Sequence, residues 1–251
     1  MAVDSSSKIG YREIDFLPML SQEPSYPRFQ LASDCSLLVT FGDGISRKHH
    51  SGVARLFELL RSEQHPAIRN IHPAYSSLLV SFDPLLVSPG EFETFVQGLV
   101  NRIDSVGLLP LRSVKIPVCY DSAFAPDLQS VAAHNNISIE EAIQLHSSPQ
   151  YLVYFLGFAP GFPYLGELPA RLATPRFPTP RVKIPAGSVA IGGNQTGIYP
   201  VSTPGGWRII GRTPLTLFQV DWKPPALLQM GDTVQFNPIT REEFDDLSKK
   251  K

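Results

Sequence analysis

The sequence predicts a small α+β domain followed by a mainly-β domain. Two passes of a strand followed by a helix precede residue 110, and short β-type runs separated by Gly/Pro turns dominate after residue 150. The first pattern is typical of an α+β layer, and the second is typical of a β-barrel or a β-sandwich. A chain of 251 residues with 43% hydrophobic content can bury two modest cores, since domains run at roughly 100–200 residues each.

Residues 29–109 form the predicted α+β domain. The runs SLLVTF at 36–41 and SLLVSF at 77–82 are apolar and have the length of a strand. Residues 51–60 and 91–103 carry apolar side chains at helical spacing. This spacing predicts one helix after each strand.

Residues 110–251 form the predicted β domain, which begins with a strand at 113–120. Two short helices are predicted at 127–133 and 138–146, and a Ser/Glu pair at capping-box spacing opens the second. From Tyr151 onward the helical pattern disappears. Further strands are predicted at 188–191, 207–211 and 233–236.

Residues 1–28 are polar and interrupted by prolines, so we expect a loosely held, flexible extension. The chain shows no basic start followed by an apolar stretch, and no run approaches the roughly 18 apolar residues of a membrane span. Cys35 and Cys119 lie far apart in apolar runs, which predicts buried thiols and neither a disulfide nor a zinc site. We therefore expect a cytoplasmic protein that does not bind membranes.

The charge balance argues against nucleic-acid binding. The chain has 22 basic and 23 acidic residues, whereas a general nucleic-acid binder needs a positive field. Residues 129–147 have the outline of a helix-turn-helix, but no Lys or Arg lies between Lys115 and Arg171. Because a recognition helix draws affinity from such side chains, we interpret these helices as a structural cap on the β domain.

The segment YFLGFAPGFPYLGELPA at 154–170 is too apolar for a surface loop and too broken by proline and glycine for a helix or a long strand. Glycine permits close approaches and proline fixes φ, so together they specify a rigid irregular wall. Such a wall suits a ligand pocket or a docking face. Its candidate residues are Phe158, Pro160, Gly161, Phe162 and Tyr164.

A block of positive charge follows at residues 168–220, which contain no Asp or Glu. Its six basic residues are Arg171, Arg176, Arg181, Lys183, Arg208 and Arg212. The same block holds glycine-containing loops at 185–188, 191–200 and 204–207. Glycine loops expose backbone N–H groups, and arginine binds carboxylate or phosphate oxygens through two parallel hydrogen bonds. We interpret the block as an anion site.

Several catalytic devices are absent from the sequence. It contains no G-x-x-x-x-G-K-[ST] loop, no H-E-x-x-H motif and no G-x-S-x-G elbow. Its six histidines are scattered without metal-ligand spacing. We predict no metal site and no use of ATP by the chain alone. His146, which ends a predicted helix, is a candidate either for a site role or for a structural hydrogen bond.

A set of motifs in fixed order closely resembles the allophanate hydrolase subunit 1 (KipI-like) family. The motifs lie at 157–165, 174–176, 180–181, 185–189, 195–200, 204–207 and 210–214. The likeness runs from about Phe29 to Leu247. Several long motifs in the right order are far more specific than any single glycine pattern.

The resemblance implies a cyclophilin-like β-barrel after the α+β domain. It also implies two partners: a subunit-2-type barrel protein, similar to the C-type component of 5-oxoprolinase, and a further 5-oxoprolinase subunit. The implied chemistry is the ATP-dependent opening of 5-oxo-L-proline to L-glutamate, with ATP used by the complex and no cofactor bound by this chain alone.

Two other functions are open at this point. The first is a KipI-like binding protein that inhibits a sensor histidine kinase, with the aromatic segment as its docking face. The second is a carboxyltransferase or allophanate-hydrolase-type subunit in urea-related metabolism.

For the enzyme hypothesis we assign roles to individual side chains. Arg181 and Arg212 are predicted to clamp an anion, which would be the carboxylate of 5-oxoproline or a phosphorylated intermediate. Predicted hydrogen-bond donors and polar lining are Gln195, Tyr199, Ser188 and Ser202. Trp207 is predicted to exclude water together with the aromatic segment, which would strengthen electrostatic contacts and protect a labile phosphate.

Overall fold

The computed structural model describes residues 25–105, 107 and 112–250. The predicted flexible extension at 1–28 lies almost wholly outside the described residues. The strands are β1 (Arg28–Ser33), β2 (Ser36–Thr40), β3 (Ile68–Pro73), β4 (Ser77–Phe82), β5 (Ser113–Cys119), β6 (Tyr151–Leu156), β7 (Pro163–Gly166), β8 (Arg181–Ile184), β9 (Ser188–Gly192), β10 (Gln195–Ile198), β11 (Thr203–Gly205), β12 (Arg208–Arg212) and β13 (Thr233–Ile239). The helices are α1 (Arg47–Glu63), α2 (Pro89–Val100), α3 (Leu128–His134), α4 (Ile139–Ser147) and α5 (Arg241–Ser248).

The first part of the chain forms a four-stranded antiparallel sheet in the order β1-β2-β4-β3. Alternate residues of β2 and β4 are buried beneath α1 and α2, as the apolar pattern predicts. Phe82 of β4 stacks on Phe92 of α2 with 4.4 Å between ring centroids. Ser88 opens α2 with a complete capping box to Glu91.

The edge strands β1 and β3 were not predicted. Most of their residues are exposed or half-buried, so neither strand shows the alternation that marks a strand with one buried face. The helices α1 and α2 were predicted, although α1 begins at Arg47, four residues before the predicted start at 51. Its N-cap is Ser46, whose side chain accepts a hydrogen bond from the backbone N–H of Lys48 at 3.2 Å.

The second part of the chain is built on a closed barrel of seven strands in the order β10-β7-β6-β13-β5-β12-β9. All neighbours are antiparallel except β5 and β13, which run parallel. The barrel core is made of apolar side chains that include Ile116, Val118, Val153, Val189, Ile191, Val234 and Phe236. The strands β8 and β11 form a separate two-stranded sheet. The described fold is therefore a mixed α/β architecture with a closed barrel.

Three helices accompany the barrel, of which α3 and α4 were predicted. Leu128, Val131 and Ala142 from these two helices join the barrel core, so the helices pack on the barrel as expected of a structural cap. The N-cap bond of α4 is present, since Ser138 Oγ accepts from the backbone N–H of Glu141 at 3.0 Å. The prediction that helical structure ends at Tyr151 is wrong. The polar helix α5 follows this point and was not predicted, because a single residue of that helix is buried.

Contacts join the four-stranded sheet region to the barrel. Arg47 donates to the carbonyl oxygen of Gln150 at 3.0 Å and lies 3.6 Å from the carboxylate of Glu167. The ring of His50 lies 4.7 Å from that of Tyr154.

The predicted division of the chain into 29–109 and 110–251 stays a prediction. In the described part of the chain, no helix combines the length and hydropathy that crossing a membrane requires.

Candidate functional site

The aromatic segment folds into β6, an irregular loop and β7. Phe158 in the loop has φ of 63°, and Gly161 has φ of 80°. Both angles lie in the left-handed region of backbone conformation, which residues other than glycine rarely adopt. A Cβ on Gly161 would lie 2.8 Å from the Cβ of Phe218. The loop is therefore irregular and sterically fixed, and the strands on either side place its aromatic rings against the barrel.

These rings line a cavity of about 210 Å³ that we call the aromatic pocket. Its lining residues are Phe158, Phe162, Tyr164, Arg176, Phe177, Pro180, Tyr199, Gly205, Gly206 and Trp207. Five of the predicted site residues thus meet at one cavity, although they come from two stretches of sequence more than thirty positions apart.

Phe162 lies at the centre of the pocket wall. Its ring centroid is 5.0 Å from that of Tyr164, 5.2 Å from Tyr199 and 5.6 Å from Trp207, and all three pairs are tilted or edge-to-face. Such arrangements are the favoured ones for aromatic pairs. Phe158 is 62% exposed and lies 5.5 Å from Phe162, so it borders the mouth of the pocket.

Two glycines support the pocket wall from behind. A Cβ on Gly192 would lie 2.5 Å from the indole ring of Trp207, and a Cβ on Gly205 would overlap with the hydroxyl oxygen of Tyr199. Glycine is required at both positions because the ring packs directly on the backbone. The sequence pattern predicts that both glycines lie in loops with exposed N–H groups, and it does not reveal this packing role.

Arg176 is the cation at the aromatic pocket, and sequence analysis did not single it out. Burial raises the pKa of Tyr164, and the positive charge of Arg176 opposes that rise. Burial also raises the pKa of Tyr199 to about 12, against the opposing effects of a backbone hydrogen bond with Trp207 and the charges of Arg176 and Arg181. A guanidinium and two hydroxyl groups therefore come together at this cavity.

Arg181, a predicted anion clamp, is paired within the chain. Its guanidinium lies 2.6 Å from Asp127, which is 5% exposed and also accepts from the backbone N–H of Ile209 at 2.7 Å. The guanidinium lies 4.5 Å from the ring centroid of Phe177. The partner carboxylate comes from a segment 54 positions earlier, which a count of charges in residues 168–220 misses.

Arg212, the other predicted clamp, lines a second cavity of about 320 Å³. Its Nε donates to the carbonyl oxygen of Ala186 at 2.9 Å, and burial lowers the pKa of its guanidinium. The described residues that line this cavity are different from those of the aromatic pocket. The structure therefore separates Arg212 from the aromatic side chains with which it was grouped.

The remaining predicted site residues lie outside the described lining of the aromatic pocket. Ser188 is buried, Gln195 is half-buried and Ser202 is exposed. Pro160 and Gly161 line an open depression next to the mouth. Their predicted roles stay predictions.

His146 takes part in a structural network inside the barrel. Its Nδ1 lies 2.8 Å from the hydroxyl of Tyr120 and its Nε2 lies 2.9 Å from Oγ1 of Thr196. Since Thr196 donates its own proton to the carbonyl of Ala190 at 3.0 Å, Nε2–H of His146 is the donor to Thr196. Complete burial lowers the pKa of His146 to about 3, so the ring is neutral and both nitrogens are satisfied.

Among the described residues, no group of three or more His, Cys, Asp or Glu side chains could hold a metal ion. Both cysteines are free thiols. Cys119 is buried, as predicted, whereas Cys35 is only half-buried, which differs from the prediction of a buried thiol. The described lining of the aromatic pocket offers apolar contacts, hydroxyl groups and a guanidinium for binding.

One family model covers the four-stranded sheet region and the barrel strands up to β12. The family model described as carboxyltransferase domain, subdomain C and D, matches residues 27–228. The chain belongs to this family, and its resemblance to the allophanate hydrolase subunit 1 (KipI-like) proteins is confirmed.

Individual relatives agree with this assignment. The chain is 40% identical over 231 residues to the B subunit of 5-oxoprolinase from Bacillus subtilis, an alignment that covers 86% of this chain and 95% of that protein. It is 56% identical over 127 residues to the B subunit of 5-oxoprolinase from Escherichia coli O157:H7, which covers 51% of this chain and 58% of that protein. The Kluyveromyces lactis urea carboxylase structure aligns with a TM-score of 0.74 at 20% identity, over 88% of this chain and 22% of that chain, and shows the fold alone.

Proposed function

We propose that this chain is the B-type subunit of an ATP-dependent 5-oxoprolinase complex, which opens 5-oxo-L-proline to L-glutamate. The observation that carries the proposal is the 40% identity to the Bacillus subtilis 5-oxoprolinase B subunit over 95% of that protein's length. A cyclophilin-like classification of the barrel and a cytoplasmic location are parts of the same proposal.

The geometry of the aromatic pocket supports a small cyclic substrate. Its walls are mostly aromatic, and the side chains with polar groups in its lining are Arg176, Tyr164, Tyr199 and Trp207. Ligand sites of this kind combine apolar contact with a small number of orienting polar groups. Aromatic side chains also exclude water, which strengthens electrostatic contacts with a bound anion.

The proposal includes partner subunits. The partners are a subunit-2-type barrel protein and a further 5-oxoprolinase subunit, and in this proposal ATP is used by the assembled complex. Two further roles remain proposals: anion clamps at Arg181 and Arg212, and polar lining by Gln195, Ser188 and Ser202. These residues are not in the described lining of the aromatic pocket.

Reconstitution tests the proposed function. The chain is combined with its subunit-2-type partner and the further subunit, and release of L-glutamate from 5-oxo-L-proline is followed by a coupled assay with and without ATP. We expect ATP-dependent release that stops when this chain is omitted, and no turnover by the chain alone. Robust turnover by the isolated chain, or full activity without it, would contradict the proposal.

A carboxyltransferase role in urea-related metabolism is a second candidate, which the description of the matching family model favours. The same reconstituted assembly, supplied with urea and bicarbonate or with allophanate, distinguishes it, since consumption of these compounds in preference to 5-oxoproline would support the second candidate. Inhibition of a histidine kinase stays a prediction.

A further inference from the structure

Two of the six cations in residues 168–220 are neutralised by carboxylates from earlier in the chain. Arg171 lies 2.6 Å from Glu141, and Arg181 lies 2.6 Å from Asp127. The charge block that the sequence shows is therefore partly compensated once the chain is folded.

Two more of these cations are held by the backbone. Nε of Arg208 donates to the carbonyl of Pro175 at 3.1 Å, and its guanidinium lies 3.5 Å from the ring centroid of Phe177. Nε of Arg212 donates to Ala186 in the second cavity. These contacts hold Arg212 in the second cavity and hold Arg208 on the ring of Phe177, so neither guanidinium is in the described lining of the aromatic pocket.

Arg176 differs from these four and from the sixth cation, Lys183, which is exposed on β8 and outside the described lining of the aromatic pocket. It lines the aromatic pocket and is exposed, and within the described residues no carboxylate lies within ion-pair distance of it. Its charge acts on the hydroxyl groups of Tyr164 and Tyr199. An unpaired guanidinium next to two hydroxyl groups is a donor set that matches a carboxylate.

We infer that Arg176 determines substrate specificity by holding the carboxylate of 5-oxo-L-proline at the mouth of the aromatic pocket, while the lactam ring lies against Phe162 and Trp207. The inference rests on the proposed function and extends it. A carboxylate is costly to bury without a partner, so it stays at the mouth, where the planar guanidinium offers two parallel hydrogen bonds. The lactam ring is uncharged, so placing it against the aromatic side chains costs less free energy than burying the carboxylate would.

This arrangement also favours release of the product. Addition of water breaks the bond between the ring carbonyl carbon and the nitrogen. The ammonium then lies on the α-carbon beside the carboxylate that Arg176 holds, and the new carboxylate forms at the end of the molecule that the aromatic walls enclose. Charged groups bind poorly to an apolar surface without partners. L-Glutamate therefore leaves the pocket more readily than 5-oxoproline.

Steady-state kinetics on the reconstituted complex test the inference, with Arg176→Gln and Arg176→Lys compared with the wild type. We expect Arg176→Gln to raise KM for 5-oxoproline about 10- to 100-fold, the range for losing hydrogen bonds to a charged group, with kcat changed far less. Arg176→Lys keeps the charge and restores part of the affinity. The inhibition constant of 2-pyrrolidone, which is the same ring without the carboxylate, stays within about twofold.

The control is Arg102→Gln, which removes the same charge from an exposed ion pair with Glu63 in the α+β region and leaves KM unchanged. A KM for Arg176→Gln within twofold of the wild type would overturn the inference, as would an equal loss of 2-pyrrolidone binding, and the proposed function would stand in both cases. A wild-type complex without activity on 5-oxoproline would overturn the proposed function and this inference together.

Discussion

Trp207, Tyr199 and Phe162 show how individual residues build the aromatic pocket. Each ring is in contact with the other aromatic side chains, and the rings of Trp207 and Tyr199 also press on the backbone of Gly192 and Gly205. The sequence predicted these aromatic residues as site candidates, and they line one cavity in the structure. Their role in binding stays a prediction. The sequence could not show which glycine supports which ring, since that depends on contacts between distant segments.

Gly205→Ala tests the support of the pocket wall. The new Cβ would overlap with the Tyr199 hydroxyl and lie 2.7 Å from Cδ1 of Ile184, so Tyr199 must shift toward the pocket. We expect a loss of about 1–3 kcal/mol in the free energy of unfolding, as for other overpacked cores, together with weaker binding of 5-oxoproline. Urea denaturation and ligand titration measure the two effects.

Gly98→Ala is the matched control for this substitution. Gly98 lies within α2, and a Cβ there meets no atom within 4 Å, so alanine should leave stability unchanged or raise it by up to about 1 kcal/mol. Equal stability of the Gly205→Ala protein and the wild type would show that the wall tolerates a side chain at this position.

At the scale of helices and strands, the elements with one buried face were predictable and the exposed ones were not. The strand β4 matches its predicted bounds of 77–82, because its apolar residues alternate with half-buried ones. By contrast, β1 and α5 bury few side chains, so no apolar period marks them. The closure of the barrel through the parallel pair β5 and β13 joins residues about 120 positions apart, a pairing that no local pattern reveals.

The link between α4 and the barrel through His146 predicts a specific pH dependence of stability. The folded state keeps this histidine neutral with a pKa of about 3, whereas the unfolded chain protonates it near pH 6.5. The unfolded state therefore binds more protons, and stability falls as the pH decreases below about 6.5. Between pH 7 and pH 5 this residue contributes a loss of about 2 kcal/mol.

Urea denaturation at pH 7 and pH 5 measures this contribution. His146→Gln should lose about 2 kcal/mol less than the wild type over this interval, whereas His72→Gln, at an exposed position of β3, should behave as the wild type does. Nuclear magnetic resonance gives an independent check, since the His146 ring in the wild-type protein should remain neutral at pH 5. A His146 ring that titrates near pH 6.5 in the folded protein would contradict the buried network.

At the scale of the whole molecule, folding leaves the positive charge of residues 168–220 on fewer side chains, because carboxylates from earlier in the chain neutralise part of it. Residues 168–220 carry six cations and no carboxylate in sequence, but Asp127 and Glu141 from the α3 and α4 region pair with two of them. The unpaired Arg176 then marks the pocket. The sequence predicted an aromatic wall and an anion site in this half of the chain, and both roles stay predictions. It could not show which arginines are paired, because ion pairs depend on the fold.

The central claim is that the aromatic pocket of this chain binds 5-oxo-L-proline. The chain has two tryptophans, so Trp222→Phe leaves Trp207 as the fluorescent reporter in the pocket wall. We predict that titration of 5-oxo-L-proline into the reconstituted complex containing this variant changes the Trp207 emission in a saturable way. The midpoint should match KM and should shift to higher concentration with Arg176→Gln. Turnover of 5-oxoproline with no change in Trp207 emission at any substrate concentration would contradict the claim and place the substrate elsewhere in the complex.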